Sequence, residues 1–213
     1  MVDGESTLIS ISSLLLLHVL LSLSLSSLSS TFAFLAAGAL AGRVKVNNIN
    51  EKSLQADREI IHTLKMMDVD VKAKSNSVSV SKSDLNSIDF DVSNCPDLFP
   101  ILCVLCSVAD GTSKISGIRR LRLKESNRIY EMRNGLTKMD VKVRLLGDSM
   151  EITGSEIKGT VISSNDHRIA MAFGILGLVA KNKTIIKNAE CVSKSFPNFW
   201  DYLTKLNVNL EVR

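Results

Sequence analysis

An internal repeat constrains this chain more than any other feature. Thr63–Val71 reads TLKMMDVDV, Gly135–Val143 reads GLTKMDVKV and Tyr202–Leu210 reads YLTKLNVNL. Each has the pattern of an amphipathic helix end followed by an alternating strand. Each is preceded by a polar, capped helix start: SLQADREI from Ser53, KESNRIYEM from Lys124 and SKSFPNFW from Ser193. Before those starts lie alternating strands after tight turns, GRVKVNNI from Gly42, GTSKISGI from Gly111 and NKTIIKNA from Asn182. Before each strand comes an apolar helix: FAFLAAGALA, LFPILCVLCSVA and RIAMAFGILGLVA. The period is about 70 residues, in the range of repeat architectures.

A helix joining two strands of one sheet gives a crossover unit. Strands that alternate have one face on a core and one outside. Three such units are expected to pack their apolar helices together inside and carry sheets around them. The fold class is therefore α/β, a pseudo-threefold domain of repeated β-α-β-type units. At 213 residues, the chain can bury a substantial core.

The first part of the chain is harder to place. From Ser6 to Gly42 there is no charged residue, and a run of that length could span a bilayer. The acidic start MVDGES does not suit a signal peptide. Because FAFLAAGALA matches two other apolar helices, the run is expected to form two buried helices separated by Ser22–Ser30. Residues 1–28 are then an apolar, Ser-rich segment, the residual helix of a truncated preceding unit. Residues 29–213 form the domain proper, with repeats at about 29–95, 96–164 and 165–213. Membrane attachment is not expected.

Composition excludes other classes. Net charge is +4 and only 5% of residues are aromatic, so the chain offers no stacking platform or basic stripe for nucleic acid. Cys103 and Cys106 form a CxxC, but inside an apolar run with no second ligand pair. With Cys95 and Cys191 they are expected to be free thiols, as suits a reducing cytoplasm.

The polar motifs call for an anion. RLKESNR (Arg122–Arg128) places Lys124 and Arg128 four apart, expected on one face of a helix start, with Glu125 beside them. NDHR (Asn165–Arg168) places Arg168 where an apolar helix begins, and Lys194 begins the third polar helix. Helix starts favour anions. Equivalent positions in three repeats should bring these cations to one rim, suited to phosphate or carboxylate ligands. Each has a plainer alternative: KExxR as a solvated ion-pair face, Asp166 and Asp97 as helix caps. His62 and His18 are left with ordinary structural roles.

LRLKESNRI, NDHRIAMAF and CVSKSFPNFW, in that order on this repeat, resemble the C-terminal domain of the enolpyruvyl transferases of the shikimate pathway, the 5-enolpyruvylshikimate-3-phosphate synthases. The resemblance runs from about Ser29 to the C-terminus. It implies an inverse α/β barrel-like domain, three of the family's six units, with the active site shared between two domains. It also implies transfer of the enolpyruvyl group of phosphoenolpyruvate to the 5-hydroxyl of shikimate 3-phosphate, releasing phosphate, without metal or organic cofactor. Asp97 would be the base near the hydroxyl and Glu125 the acid–base group. Lys124 would contact shikimate 3-phosphate and assist proton transfer, and Arg128, Arg168 and Lys194 would hold phosphoenolpyruvate. A cytoplasmic location and a separately encoded N-terminal domain as partner belong to the same expectation.

Three departures stand out. Asn127 replaces the family's usual Asp, Arg120 stands where some members have an Asn, and the Ser-Ser-Gln segment has no clean counterpart in STLISISSLLLL. The sister enzymes acting on UDP-N-acetylglucosamine share the fold but not RLKESNR or NDHR. The rival readings are a catalytically inactive remnant, an anion-binding scaffold, and a protein anchored through Ser6–Gly42.

Overall fold

A computed structural model describes residues 7–12, 20–24, 28–47, 49, 55–205 and 209–212. In chain order the elements are β1 (Leu8–Ser12), β2 (Leu20–Ser24), α1 (Leu28–Ala41), β3 (Arg43–Asn47), α2 (Gln55–Met66), β4 (Asp70–Lys74) and β5 (Ser77–Ser81). Then come β6 (Asp89–Asp91), α3 (Phe99–Val108), β7 (Thr112–Ser116), α4 (Arg128–Lys138), β8 (Lys142–Leu146) and β9 (Ser149–Thr153). Last are β10 (Val161–Ser163), α5 (His167–Gly177), β11 (Thr184–Lys187), α6 (Phe199–Thr204) and β12 (Asn209–Val212). Three 3₁₀ turns, Pro96–Leu98, Arg119–Leu123 and Ala189–Lys194, matter for the site.

The strands form three sheets of one plan: β2-β3-β5-β4, β6-β7-β9-β8 and β10-β11-β1-β12. In each, the first pair is parallel, joined through an apolar helix, and the other pairings are antiparallel. The apolar helices α1, α3 and α5 touch one another. Phe32 and Ala33, Pro100 and Ile101, and Arg168 and Met171 line one small cavity at their N-terminal ends. Leu40, Val108 and Val179 line a cleft at the other end. The three helices therefore run side by side in one direction, with the sheets around them.

Their sequences require that place. Neither α1 nor α3 carries a charged residue, and α5 is charged only in its first turn. A helix apolar all round is stable only when buried all round. Phe34, Leu35, Leu102, Val104, Phe173 and Ile175 are fully enclosed. Fully burying such a side chain contributes about 1.5–3 kcal/mol. Where α4 crosses α5 the approach is tight, since a Cβ on Gly135 would lie 2.1 Å from a Phe173 ring carbon.

The repeat also fixes a turn. Asp68 (φ 61°) and Asp140 (φ 70°) follow α2 and α4 at matching positions. A short polar side chain tolerates this left-handed conformation, which ends a helix.

The opening segment differs from expectation. Of the two helices expected on either side of Ser22–Ser30, the second is α1, but in place of the first Leu8–Ser12 and Leu20–Ser24 are strands. No described helix is long and apolar enough to cross a membrane. β1 fills, in the third sheet, the slot that β5 and β9 fill in the other two, between β11 and β12. Ile9 and Ile11 point into the core as Val78 and Val80, and Met150 and Ile152, do. Seven residues separate β1 from β2, β5 from β6 and β9 from β10 alike, so the chain closes its own threefold plan. This corrects the reading of residues 1–28 as a residual helix. The reason is periodicity, because LISIS and LLSLS alternate at period two, the strand signature. His18, Ser53 and Asn207 lie outside the described residues.

The four cysteines are free and buried. Burial pushes the Cys106 thiol up to about 12, which keeps it protonated at neutral pH.

If β1 closes the third sheet, Ile11→Ala should cost as much as Val80→Ala in the first. Each substitution should lower stability by about 2–4 kcal/mol in urea unfolding. An Ile11→Ala variant as stable as the parent would mean that β1 is not part of the domain.

Candidate active site

The N-terminal ends of the three apolar helices lie together, so the residues just before α3 and α5 come within reach of the start of α4. Asp97 sits in the turn Pro96–Leu98 that leads into α3. Asp166 caps α5, its Oδ1 accepting the Arg168 backbone N–H at 2.9 Å. Arg128 opens α4, whose cap is Asn127, its side-chain oxygen accepting the Tyr130 N–H. Lys124 and Glu125 lie between the 3₁₀ turn Arg119–Leu123 and α4. The expected single helical face over Lys124 and Arg128 is thus replaced by a loop and a later helix start. Asn127 explains the shift, since its side chain satisfies a first-turn donor only when the helix begins after it.

Arg128 is the hub. It is 0% exposed. It donates from Nε to Asp166 Oδ2 at 2.8 Å, from Nη1 to Asp97 Oδ1 at 3.0 Å and from Nη2 to Glu125 Oε2 at 2.5 Å. Asp97 is shared, because Oδ2 also accepts from Arg168 Nη2 at 3.0 Å and Lys124 Nζ stands 3.7 Å from Oδ1. Ser126 Oγ donates to Asp166 Oδ2 at 3.2 Å. Segments up to 71 residues apart in sequence thus meet in one network.

Asp97, Lys124, Glu125, Arg128 and Arg168 are brought together. Lys194 ends the 3₁₀ turn Ala189–Lys194, which packs on α5, but its side chain is exposed and has no ion pair among the described residues. Sequence reasoning placed Asp166 only as a cap and missed its ion pair. The signal was available: an Asp buried beside an apolar helix needs a cation.

The charges nearly cancel. Lys124, Arg128 and Arg168 face Asp97, Glu125 and Asp166. Burial would raise the Asp166 carboxyl, but hydrogen bonding and charge from Arg128 outweigh it and hold the group below the ordinary carboxylate range. Burial pulls the Arg168 guanidinium down, and Asp97 partly restores it. His167, next to the cap, is also pulled down by burial. Arg168 Nε is buried and has no hydrogen-bond partner among the described residues. That leaves a charged donor beside a helix N-terminus, where an anion is favoured.

A sequence model of the family described as EPSP synthase (3-phosphoshikimate 1-carboxyvinyltransferase) matches residues 25–203. A 3-phosphoshikimate 1-carboxyvinyltransferase of Pyrococcus abyssi is 50% identical over 173 residues, 81% of this chain and 42% of the relative. That of Pyrococcus furiosus is 44% identical over 179 residues, 84% of this chain and 44% of the relative. The chain thus spans less than half the length of these curated relatives. An EPSP synthase structure from Acinetobacter baumannii superposes with a TM-score of 0.78 at 28% identity, covering 87% of this chain and 46% of that one. The enolpyruvyl transferase NikO from Streptomyces tendae matches in fold, with a TM-score of 0.72 at 16% identity, covering 88% and 44%.

Breaking a buried pair leaves an uncompensated charge, so Asp166→Asn should destabilise the protein by about 3–5 kcal/mol at pH 7. Because the folded carboxyl titrates below its unfolded value, Asp166 contributes stability above the unfolded pKa. That contribution is lost as pH falls through the folded one. Urea midpoints of parent and variant should converge below pH about 4, the unfolded carboxylate value. A gap constant from pH 7 to pH 2 would show that the ion pair is not its source.

Proposed function

The chain belongs to the EPSP synthase family, and on that premise we propose that its rim network is one half of an enolpyruvyl transfer site. The reaction would join phosphoenolpyruvate to the 5-hydroxyl of shikimate 3-phosphate and release phosphate. The observation that carries this reading is the sharing of Asp97 by Arg128, Arg168 and Lys124, with Glu125 on the same guanidinium. The residues form one domain of three units in this reading, and a separately encoded N-terminal domain supplies the facing half.

The chemistry asks for a base and an acid close together and for cations around phosphate and carboxylate. The hydroxyl loses its proton as the enol methylene gains one. The oxygen attacks the resulting cationic carbon, and the tetrahedral adduct then expels phosphate. Asp97 takes the hydroxyl proton, and Glu125 moves the proton to and from the methylene. Lys124, one-third exposed, meets shikimate 3-phosphate. Arg168, with its spare Nε–H, clamps phosphoenolpyruvate from below, and Lys194 closes on it from the exposed side. Arg128 is enclosed, so it meets the ligand only where Glu125 and Asp97 turn from its terminal nitrogens towards the substrates.

A second reading has its own support. With three cations matched by three carboxylates, the network has little net charge to offer an anion. That balance favours a catalytically inactive remnant, or a weak anion-binding scaffold, wherever no second domain adds cations.

Phosphate release from phosphoenolpyruvate and shikimate 3-phosphate separates the two. We expect none above background from the chain alone, and turnover when a separately expressed N-terminal domain of a relative is added. In that mixture, Glu125→Gln should lower kcat by about 10²–10⁴-fold, the range of a lost general acid–base group. Robust turnover by the chain alone would overturn the half-site reading, and none in the mixture would favour the remnant.

A further inference from the structure

We propose that Glu131 is a positioning residue for the rim, acting through Ser164 on the segment that carries Asp166 and Arg168. The inference rests on the half-site reading above. Glu131 lies in the first turn of α4, three residues after Arg128, so both project from neighbouring positions on one side of the helix. Its carboxylate accepts the Ser164 hydroxyl. The Ser164 oxygen in turn accepts the Asp166 N–H at 3.1 Å, and Asp166 holds Arg128 Nε at 2.8 Å. The links close a ring, from Arg128 to Asp166, to Ser164, to Glu131 and back through one turn of α4.

The ring changes what the Arg128–Asp166 pair can do. A single ion pair at the tip of a long side chain lets two helix ends swivel. A second tie, one turn further along α4, fixes their rotation and with it the placing of Arg168 beside Asp97. Ser164 is 6% exposed, so its hydroxyl needs an acceptor, and Glu131 supplies it. The other flank of the segment is pinned from the third unit. Asn188, held at φ 57°, donates Nδ2 to Asn165 Oδ1 at 3.0 Å and to Ser163 Oγ at 3.4 Å. The loop 163–166 is thus set by two units at once, and Glu131 is its tie to the unit that carries Arg128.

Charge and position predict opposite signs. As a carboxylate near an anion site, Glu131 opposes the ligand by simple Coulomb repulsion, so its removal should tighten binding. As a positioning residue, its removal should weaken binding, and Gln, which keeps an acceptor oxygen, should restore it.

The test uses the full chain well below its melting temperature, with two readouts. One is the exchange rate of the Arg128 Nε–H in ¹H–¹⁵N spectra, which needs no ligand. The other is titration with phosphoenolpyruvate. Glu131→Ala and Ser164→Ala should each speed that exchange and weaken phosphoenolpyruvate binding by about tenfold, the scale of one net hydrogen bond. Glu131→Gln should match the parent in both, and the double variant should be no worse than either single one. Tighter binding in both Glu131 variants, or a lower melting temperature with exchange and affinity unchanged, would overturn the proposal. If the parent binds no phosphoenolpyruvate even with the N-terminal domain of a relative added, while the exchange rates behave as expected, the half-site reading fails and the positioning role stands.

Discussion

Three helices without a polar side must be buried on every face, and the rest of this architecture follows from that demand. One sheet can cover one flank of each helix, and the helices cover one another's remaining flanks. Three sheets of one plan around α1, α3 and α5 meet the requirement. The third sheet needs an antiparallel strand between β11 and β12, and β1 supplies it from the opposite end of the chain. Sequence distance is no obstacle, since seven residues between β1 and β2 match the other two linkers.

The same arrangement makes the site. Side-by-side helices running in one direction expose their polar groups only at their ends, and their N-terminal ends carry unpaired backbone donors. Asp97 before α3 and Asp166 before α5 enter there, and Asp166, which is buried, needs a cation. Arg128 reaches both from α4 and loses all its solvent contact in doing so. The rim is therefore a structural joint between the second and third units as well as a chemical face. A substitution in it is expected to alter folding and binding together.

Much of this was legible in the residues. The 70-residue period exposed the apolar helices and the strands that follow them, because a charge-free run flanked by alternating strands has few other places to go. The rim followed from KESNR heading a polar helix and NDHR heading an apolar helix of the same repeat. What was missed has identifiable causes. LISIS and LLSLS read locally as parts of one apolar block, although their serines fall at every second place. A strand that completes a sheet from the far end of the chain leaves no local mark of its partner. The buried state of Arg128 was also invisible, because KExxR reads equally as a solvated face until the second unit's neighbours are known.

The charge balance of the rim ties these points together. A site built only to hold a doubly charged anion would keep its cations clear of carboxylates, whereas here Asp97 alone engages three of them. Proton transfer needs carboxylates at the centre, and their presence costs affinity for anions. In the half-site reading a facing domain would resolve the conflict by adding cations from the opposite wall and excluding water, so that the carboxylates stay beside the reacting atoms while net charge turns positive. A chain less than half as long as its relatives holds the carboxylates and their immediate partners. In the half-site reading, its own fold sets where acid and base stand, and the strength of substrate binding depends on what faces it.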